Sequence, residues 1–185
     1  MAPFAVTIDT ATGALPEARN HLLRKASDMK GYYTDEGALA RLIAEGNDPL
    51  HYEVFEVPVP EEAGHLMYCI SKLQPGRVGD ECFMTKGHYH AVAATAEIYL
   101  CFRGEGYMVM KTQDGKSHCE RMEKGRMVYV PPFWAHRSVN TSSGEPLVLF
   151  CVYPADAGHN YGDIKTQGFP TRVFDRAGHI GLEEC

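Results

Sequence analysis

From residue 51 onward, short apolar runs follow one another with turn residues between them. The runs are HYEVFEVPV, LMYCISKL, AEIYLCFR, GYMVMKT, RMVYV and LVLFCVYP. They are rich in β-branched and aromatic residues and are separated by segments such as PGRVGD, RGEG and TSSGEP, so each predicts a strand. Because no helical pattern lies between them, their order favours an antiparallel sandwich or barrel over βαβ units.

The first 50 residues have a different pattern, which we interpret as helix and connection. Residues 16–29, PEARNHLLRKASDM, place apolar side chains among charged ones and predict a helix. Residues 35–46, DEGALARLIAEG, predict a second short helix that ends at Gly46, a suitable C-cap.

The chain is short enough to form one domain with a substantial core. After Pro154 the stretch PADAGHNYGDI contains too much Gly, Asp and Asn for a strand. We therefore expect a single domain over 1–185, divided into an N-terminal helical and connecting segment (1–50), a β-barrel (about 51–153) and a C-terminal extension (154–185).

Composition and net charge indicate which classes of binding partner to expect. The content of 44% hydrophobic and 23% charged residues is ordinary for a globular protein. The net charge of -6 argues against a nucleic-acid partner, which selects basic surfaces. An anionic ligand would need a local positive site, because the average field repels it. No run is long and apolar enough to span a membrane, so no membrane partner is expected.

The six cysteines are interpreted as reduced thiols. Four of them lie inside apolar, strand-like runs, where a thiol behaves as a small hydrophobic side chain. None has the CxxC spacing of a zinc site, and the N-terminus lacks the basic start of a secretory signal. We therefore expect a cytoplasmic protein.

The segment GHYHAVAATAE contains the first candidate for chemistry. In an extended strand, His88 and His90 point to the same face, because strand side chains alternate with a period of two. Two imidazoles on one face can share a divalent metal, and Glu97 can add a carboxylate oxygen from the next strand. An isolated His-x-His is more often a pair of solvated surface residues.

A second motif makes the metal interpretation the better one. The stretch GRMVYVPPFWAHRSVN leads from a strand through a proline-bounded turn to His136 at the start of the next strand. One such histidine commonly caps a turn or satisfies a backbone carbonyl. Three histidines and a glutamate in two motifs favour a shared metal site.

Together the two motifs resemble those of the cupin superfamily. They are His88-x-His90-x6-Glu97-x6-Gly104 and Gly125-x5-Pro131-x4-His136-x3-Asn140. The resemblance implies an all-β double-stranded β-helix, or jelly-roll, barrel with a metal in its mouth. The sequence departs from the general pattern in the longer His90–Glu97 gap and in Phe133, where many cupins have glycine. We expect Phe133 and Trp134 to pack in the core or the mouth.

Longer strings resemble one branch of that superfamily, the cupin-type phosphoglucose isomerases. These strings are SDMKGYYTDEGAL, TKGHYHA, AEIYLCFRGEG, VYVPPFWAHRSVN and YPADAGHNYG, so the resemblance covers about residues 4–170. It implies interconversion of glucose 6-phosphate and fructose 6-phosphate in glycolysis or gluconeogenesis by a cytosolic homodimer.

The resemblance also assigns roles to residues. The implied ligands of one divalent metal (Fe, Mn, Zn, Ni or Co) are His88, His90, Glu97 and His136. Glu97 is also the candidate base and Tyr99, on the same strand face, the candidate second catalytic residue. The implied contacts to the sugar phosphate are Tyr52, Ser71, Thr85, Lys86, Gly87, Tyr153, His159 and Tyr161. Strict alternation puts Thr85 opposite His88, so this assignment requires Gly87 to break the register.

Two mechanisms and two other functions stay open from the sequence. Isomerisation proceeds either by proton transfer through a cis-enediol or by a metal-assisted hydride shift. The same ligand set serves iron-dependent cupin dioxygenases, although the tyrosine- and hydroxyl-rich surroundings suit a polar sugar phosphate better. A non-catalytic sugar-binding cupin is the third possibility, but such proteins often lose metal ligands, whereas all four are present here.

Overall fold

Antiparallel strands account for most of the regular structure in the computed structural model, which describes residues 1–184. The strands are β1 (Asn20–Lys25), β2 (Leu50–Glu56), β3 (Leu66–Leu73), β4 (Arg77–Val78), β5 (Glu81–Cys82), β6 (Tyr89–His90), β7 (Glu97–Arg103), β8 (Glu105–Lys111), β9 (Ser117–Glu123), β10 (Met127–Val130), β11 (Ala135–Asn140), β12 (Leu147–Pro154), β13 (His159–Asn160), β14 (Thr171–Arg176) and β15 (His179–Glu184). The helices are α1 (Glu36–Glu45) and α2 (Gly162–Gln167), with a 3-10 turn at Ala26–Met29.

Two larger sheets form the body of the fold. One has six strands in the order β1-β2-β3-β12-β7-β10, and the other has three in the order β11-β8-β9. A single apolar core joins them, since buried Met67 and Leu73 of the first sheet cluster with Met108 and Val139 of the second. A two-stranded sheet, β13-β6, and a four-stranded sheet, β15-β14-β5-β4, whose strands β4 and β5 are only two residues long, complete the strand pairing. The prediction of an all-β barrel of cupin type is confirmed.

The three-stranded sheet continues through the segment 83–88, which runs antiparallel to β11. Thr85 N–H donates to Ser138 O and Asn140 N–H donates to Phe83 O, both at 2.9 Å. Isolated antiparallel bridges join Met84 to Val139 and His88 to His136. This pairing places the segment that precedes β6 directly beside β11.

The six-stranded sheet has a second apolar layer on its outer face. Buried Leu15, from the segment before β1, packs with Ile70 of β3 and Val148 of β12. Val6 and Ile8 pack against the same group. The N-terminal segment therefore covers part of the outer, apolar face of the six-stranded sheet.

The predicted helix over residues 16–29 is wrong. Residues 20–25 form β1, which pairs antiparallel with β2, and only the last four residues form a 3-10 turn. Pairing with β2 overrides the mixture of apolar and charged side chains that suggested a helix. The partial burial of Leu22 and Arg24, with exposed residues between and beside them, has the two-residue period of a strand.

The second predicted helix is confirmed as α1. Its N-cap, Asp35, accepts a hydrogen bond from Ala38 N–H at 2.7 Å, and Gly46 forms its C-cap with a bond to Leu42 O. The C-terminal strands β14 and β15 lie beyond the runs from which strands were predicted. Cys185 lies outside the described residues, and the other five cysteines are free thiols.

No helix among residues 1–184 is both long and apolar enough to cross a membrane.

Phe133 occupies a backbone conformation that explains the usual glycine at this position. Its φ is +70°, in the left-handed region where a side chain is unfavourable. The ring is 62% exposed, so the expectation that Phe133 packs in the core or mouth is wrong. Trp134 packs against the main core, as expected.

We expect Phe133→Gly to be more stable than Phe133→Ala, by about 1 kcal/mol, because glycine removes the left-handed strain that alanine retains. Urea unfolding of the two variants measures the difference. The same two substitutions at Met127, exposed in β10, are the control, and there alanine should be the more stable. Equal stability of the two Phe133 variants would contradict the assignment of strain.

Asn140 closes the second sequence motif by satisfying buried backbone groups. It is fully buried, and its Nδ2 donates to Leu73 O and Glu145 O, both at 2.9 Å. Its Oδ1 accepts from Ser142 N–H at 2.9 Å. The side chain therefore ties β11 to β3 and to the turn before β12.

We expect Asn140→Ala to lower the free energy of unfolding by about 2–4 kcal/mol, because it removes the side-chain partner of two buried backbone groups and of one partly buried carbonyl. Denaturant unfolding measures the loss. Asn20→Ala, at an exposed asparagine of β1, should change stability by no more than about 0.5 kcal/mol. A similar small effect at both positions would show that Asn140 does not hold the turn.

Candidate metal and sugar-phosphate site

Strand pairing brings the two sequence motifs together. His88 N–H donates to His136 O at 3.2 Å, and His136 N–H donates to His88 O at 3.1 Å. Residues paired in this way lie on the same face of a sheet, so both imidazoles point to the barrel interior. His90 follows on β6, and Glu97 begins β7 in the facing sheet.

The four predicted ligands converge in the barrel. One nitrogen or oxygen atom from each of His88, His90, Glu97 and His136 lies within 4.8 Å of the others. Glu97 Oε2 is 3.2 Å from His90 Nε2 and 2.8 Å from His136 Nε2. Glu97, His90 and His136 are each at most 5% exposed.

The four donor atoms are arranged to bind a metal ion rather than to form hydrogen bonds with one another. Within residues 1–184, His88 Nε2 is buried without a hydrogen-bond partner, and His136 Nε2 lies near Glu97 without hydrogen-bond geometry. Buried polar groups are rarely left unpaired. Three imidazole nitrogens and one carboxylate oxygen form a donor set that suits first-row divalent metals.

The protonation states of His88 and Glu97 also suit metal binding. Burial, reinforced by nearby His136, lowers the pKa of His88 well below its usual value, so its ring stays neutral. Burial opposes the charge on Glu97, but His136 and His90 outweigh it and hold the pKa of Glu97 well below the usual range. The site thus presents a neutral imidazole and an ionised carboxylate, the forms that bind metals.

Thr95 orients His90, which the sequence analysis missed. Thr95 Oγ1 donates to Val92 O at 2.7 Å, so the same oxygen accepts from His90 Nδ1–H, which lies 2.8 Å away. This bond fixes the His90 tautomer and leaves Nε2 free to face the cluster. The sequence shows a hydroxyl residue between the His-x-His pair and Glu97, but only the loop geometry shows that it bonds to His90.

A cavity opens beside the four residues. Its empty volume, which includes the open mouth, is about 700 Å³. His88, Glu97 and Tyr99 contribute to its wall, whereas His90 and His136 lie beneath it. The structure places all the other predicted substrate contacts in the same wall: Tyr52, Ser71, Thr85, Lys86, Gly87, Tyr153, His159 and Tyr161.

Gly87 allows Thr85 and His88 to share this cavity. Its φ is +75°, and an added Cβ would lie 2.9 Å from the His136 carbonyl oxygen. The expected break in register is therefore present. Thr85 Oγ1 accepts a hydrogen bond from Ser138 N–H at 3.1 Å, and this leaves the hydroxyl hydrogen available to an anionic ligand.

The tyrosines of the cavity remain protonated. Burial raises the pKa of Tyr52, Tyr99 and Tyr153, and for Tyr99 the charge of Glu97 adds to that effect. Each therefore carries a hydroxyl hydrogen near neutral pH. His159 lies at the mouth with its ring centroid 4.4 Å from that of His88, and Tyr161 stacks on His159.

The wall also contains residues that the sequence analysis did not select. Glu56 lies there and accepts from Asn20 Nδ2 at 3.3 Å and from Tyr153 OH at 3.5 Å. The wall also includes Ser138, Cys69, Cys151, Leu22 and Val54. In the sequence these positions alternate along their strands as core residues do. Only the pairing of neighbouring strands shows that they line the cavity.

Comparison with known proteins assigns the family. The profile of the family described as Glucose-6-phosphate isomerase matches residues 23–181. The chain belongs to this family. Its predicted resemblance to the cupin-type phosphoglucose isomerases is confirmed.

Relatives within the glucose-6-phosphate isomerase family align over almost the whole chain. The Glucose-6-phosphate isomerase of Thermococcus gammatolerans is 49% identical over 97% of this chain and 93% of its own. The Putative glucose-6-phosphate isomerase 2 of Rhizobium meliloti is 38% identical over 96% of this chain and 88% of its own. Among solved structures, an oxalate oxidase aligns with a TM-score of 0.48 at 16% identity, over 61% of this chain and 56% of that chain.

We expect Thr95→Val to weaken metal binding by about tenfold, because the variant loses the nearer of the two acceptors for His90 Nδ1–H and leaves only the Thr95 carbonyl, at 3.2 Å. Calorimetric titration of the metal-free protein with Mn²⁺ or Zn²⁺ measures the affinity. Thr95→Ser keeps the hydroxyl and should bind close to wild type. If valine and serine variants bind the metal equally well, the hydroxyl does not position His90.

Proposed function

We propose that this chain interconverts glucose 6-phosphate and fructose 6-phosphate. The carrying observation is the convergence of His88, His90, Glu97 and His136 at the base of a cavity whose wall is lined by hydroxyl groups. Membership in the glucose-6-phosphate isomerase family supports the same reaction. The reaction moves one hydrogen between C1 and C2 of the sugar and one between their oxygens.

The proposed cofactor is one divalent ion per chain. His88, His90, Glu97 and His136 would hold it, and their donor atoms accept Fe, Mn, Zn, Ni or Co. Bound there, such an ion supplies Lewis-acid polarisation of the sugar carbonyl.

Glu97 and Tyr99 are the proposed catalytic residues. Glu97 is ionised and faces the cavity, so its carboxylate can take a proton from one carbon of the sugar and return it to the other. Tyr99 lies on the same face of β7 and retains its hydroxyl hydrogen, which can be donated to one sugar oxygen while the phenol regains a proton from the hydroxyl on the neighbouring carbon. Proton transfer through these two residues is the proposed mechanism, and a direct hydride shift is the alternative.

The remaining wall residues would bind the sugar phosphate. We assign Ser71, Thr85, Lys86 and Gly87 to the phosphate, since they supply hydroxyl, ammonium and backbone N–H groups to the cavity. We assign the other four predicted contacts to the sugar: Tyr52, Tyr153, His159 and Tyr161.

We also propose a cytoplasmic homodimer working in glycolysis or gluconeogenesis. The outer face of β7 and β10 leaves Ile98, Met127 and Tyr129 exposed, by 38, 63 and 59%. Tyr129 pairs directly with Ile98, so the two form a continuous apolar strip that a second copy can cover. The free thiols suit a reducing compartment.

The purified protein should convert fructose 6-phosphate to glucose 6-phosphate, lose this activity in EDTA and regain it with added metal. The His88→Ala, His136→Ala double variant should stay inactive with every metal, because two of the four donors are gone. A coupled dehydrogenase assay measures the rate. Stoichiometric metal binding without isomerase activity would overturn the proposal and favour oxygen-dependent chemistry.

Isomerisation in D₂O distinguishes the two mechanisms. Proton transfer through Glu97 should introduce deuterium at C1 or C2, because the carboxyl proton exchanges with solvent between the two steps. NMR or mass spectrometry of the product measures the incorporation. Complete retention of the original hydrogen would instead favour a direct hydride shift and remove the base role of Glu97.

A further inference from the structure

Strand register places Arg24 on the cavity side of the six-stranded sheet. Arg24 pairs directly with Tyr52, and Leu22 pairs with Val54. Tyr52, Val54 and Leu22 all line the cavity. Because directly paired residues share a face, the Arg24 side chain lies on that face as well. It lines the adjoining hollow at the mouth together with His159 and Tyr161.

The Arg24 guanidinium lacks a partner of opposite charge. Among residues 1–184 it forms no ion pair, and its Nε is buried without a hydrogen-bond partner. Its Nη1 donates only to the Leu23 carbonyl, at 3.3 Å. A guanidinium has five N–H donors, so most of its capacity is unused.

The charges around Arg24 favour an anion. Lys86 lines the main cavity and Arg24 the adjoining hollow, and His159 and Tyr161 belong to both, so two cations face the same region. Asp28, an acid just after β1, has a carboxylate oxygen that accepts from Lys25 N–H at 2.8 Å. The chain as a whole carries a net charge of -6, so this positive region is a local exception.

Glu56, the acid that lines the same mouth, is already engaged. Its two carboxylate oxygens accept from Asn20 Nδ2 and from Tyr153 OH. It lies four residues along β2 from Tyr52, roughly 13 Å for an extended strand. Glu56 and Arg24 are therefore at opposite ends of the wall that β2 contributes.

We propose that Arg24 is a specificity-determining residue that binds the phosphate group of the substrate at the cavity mouth, opposite Thr85, Lys86 and Gly87. The inference rests on the proposed function and adds a residue to it. A guanidinium donates two parallel hydrogen bonds to phosphate, which a lysine ammonium does not. Arg24 thereby favours phosphorylated sugars over neutral ones.

Direct binding tests this role without depending on turnover. Metal-loaded wild type, Arg24→Gln and Arg24→Lys are titrated by calorimetry with sorbitol 6-phosphate, a non-isomerising probe, and with sorbitol. Lys25→Gln is the matched control, because it removes the same charge from the adjacent exposed residue. Circular dichroism confirms that each variant is folded.

Arg24→Gln should bind sorbitol 6-phosphate at least about tenfold more weakly than wild type, since it loses charge-assisted hydrogen bonds. Arg24→Lys should be intermediate, Lys25→Gln should match wild type, and sorbitol binding should not change. In turnover with fructose 6-phosphate, the loss should fall on KM more than on kcat.

Equal affinity of Arg24→Gln and Lys25→Gln for sorbitol 6-phosphate would overturn the role of Arg24, even if wild type is an active isomerase. Absence of sorbitol 6-phosphate binding by wild type would overturn it too. If wild type binds the probe through Arg24 yet does not isomerise fructose 6-phosphate, the proposed function fails while the anion site stands.

Discussion

The antiparallel bridge between His88 and His136 is the contact on which the candidate site depends. Two reciprocal backbone hydrogen bonds, at 3.2 and 3.1 Å, join segments that are far apart in sequence. The same pairing continues through Thr85 and Ser138, so it sets the position of the predicted phosphate-binding loop as well. The two imidazoles and the phosphate contacts are thus fixed by one register, and a slip of one residue would turn these side chains to the opposite face.

Burial makes this arrangement demanding. Glu97 is 3% exposed and ionised, and a buried carboxylate is costly unless charges or hydrogen-bond donors surround it. His90 and His136 supply part of that compensation, but His88 Nε2 remains buried and unpaired. A divalent cation would satisfy both groups at once. Metal binding at these residues would then also stabilise the folded protein.

Sequence reasoning was strongest where side-chain chemistry and spacing are local. His-x-His, the following glutamate and the third histidine are readable as one donor set, and the alternation along β7 places Glu97 with Tyr99. Reasoning failed at residues 20–25, where two adjacent leucines suggested a helix. There the conformation is determined by pairing with β2 at the edge of the six-stranded sheet. A six-residue segment carries little sequence signal of such a pairing. Arg24 and Glu56 were missed for the same reason, and Thr95 because its partner depends on a loop.

The central claim is that one metal ion is bound by three imidazoles and one carboxylate at the base of the cavity. X-ray absorption spectroscopy of the purified protein loaded with one equivalent of Mn²⁺ or Zn²⁺ tests it most directly. The account predicts a first shell dominated by nitrogen and oxygen, with the outer-shell scattering of about three imidazole rings, which decreases in the His88→Ala variant. A metal spectrum without imidazole scattering, or one that does not change in that variant, would contradict the account.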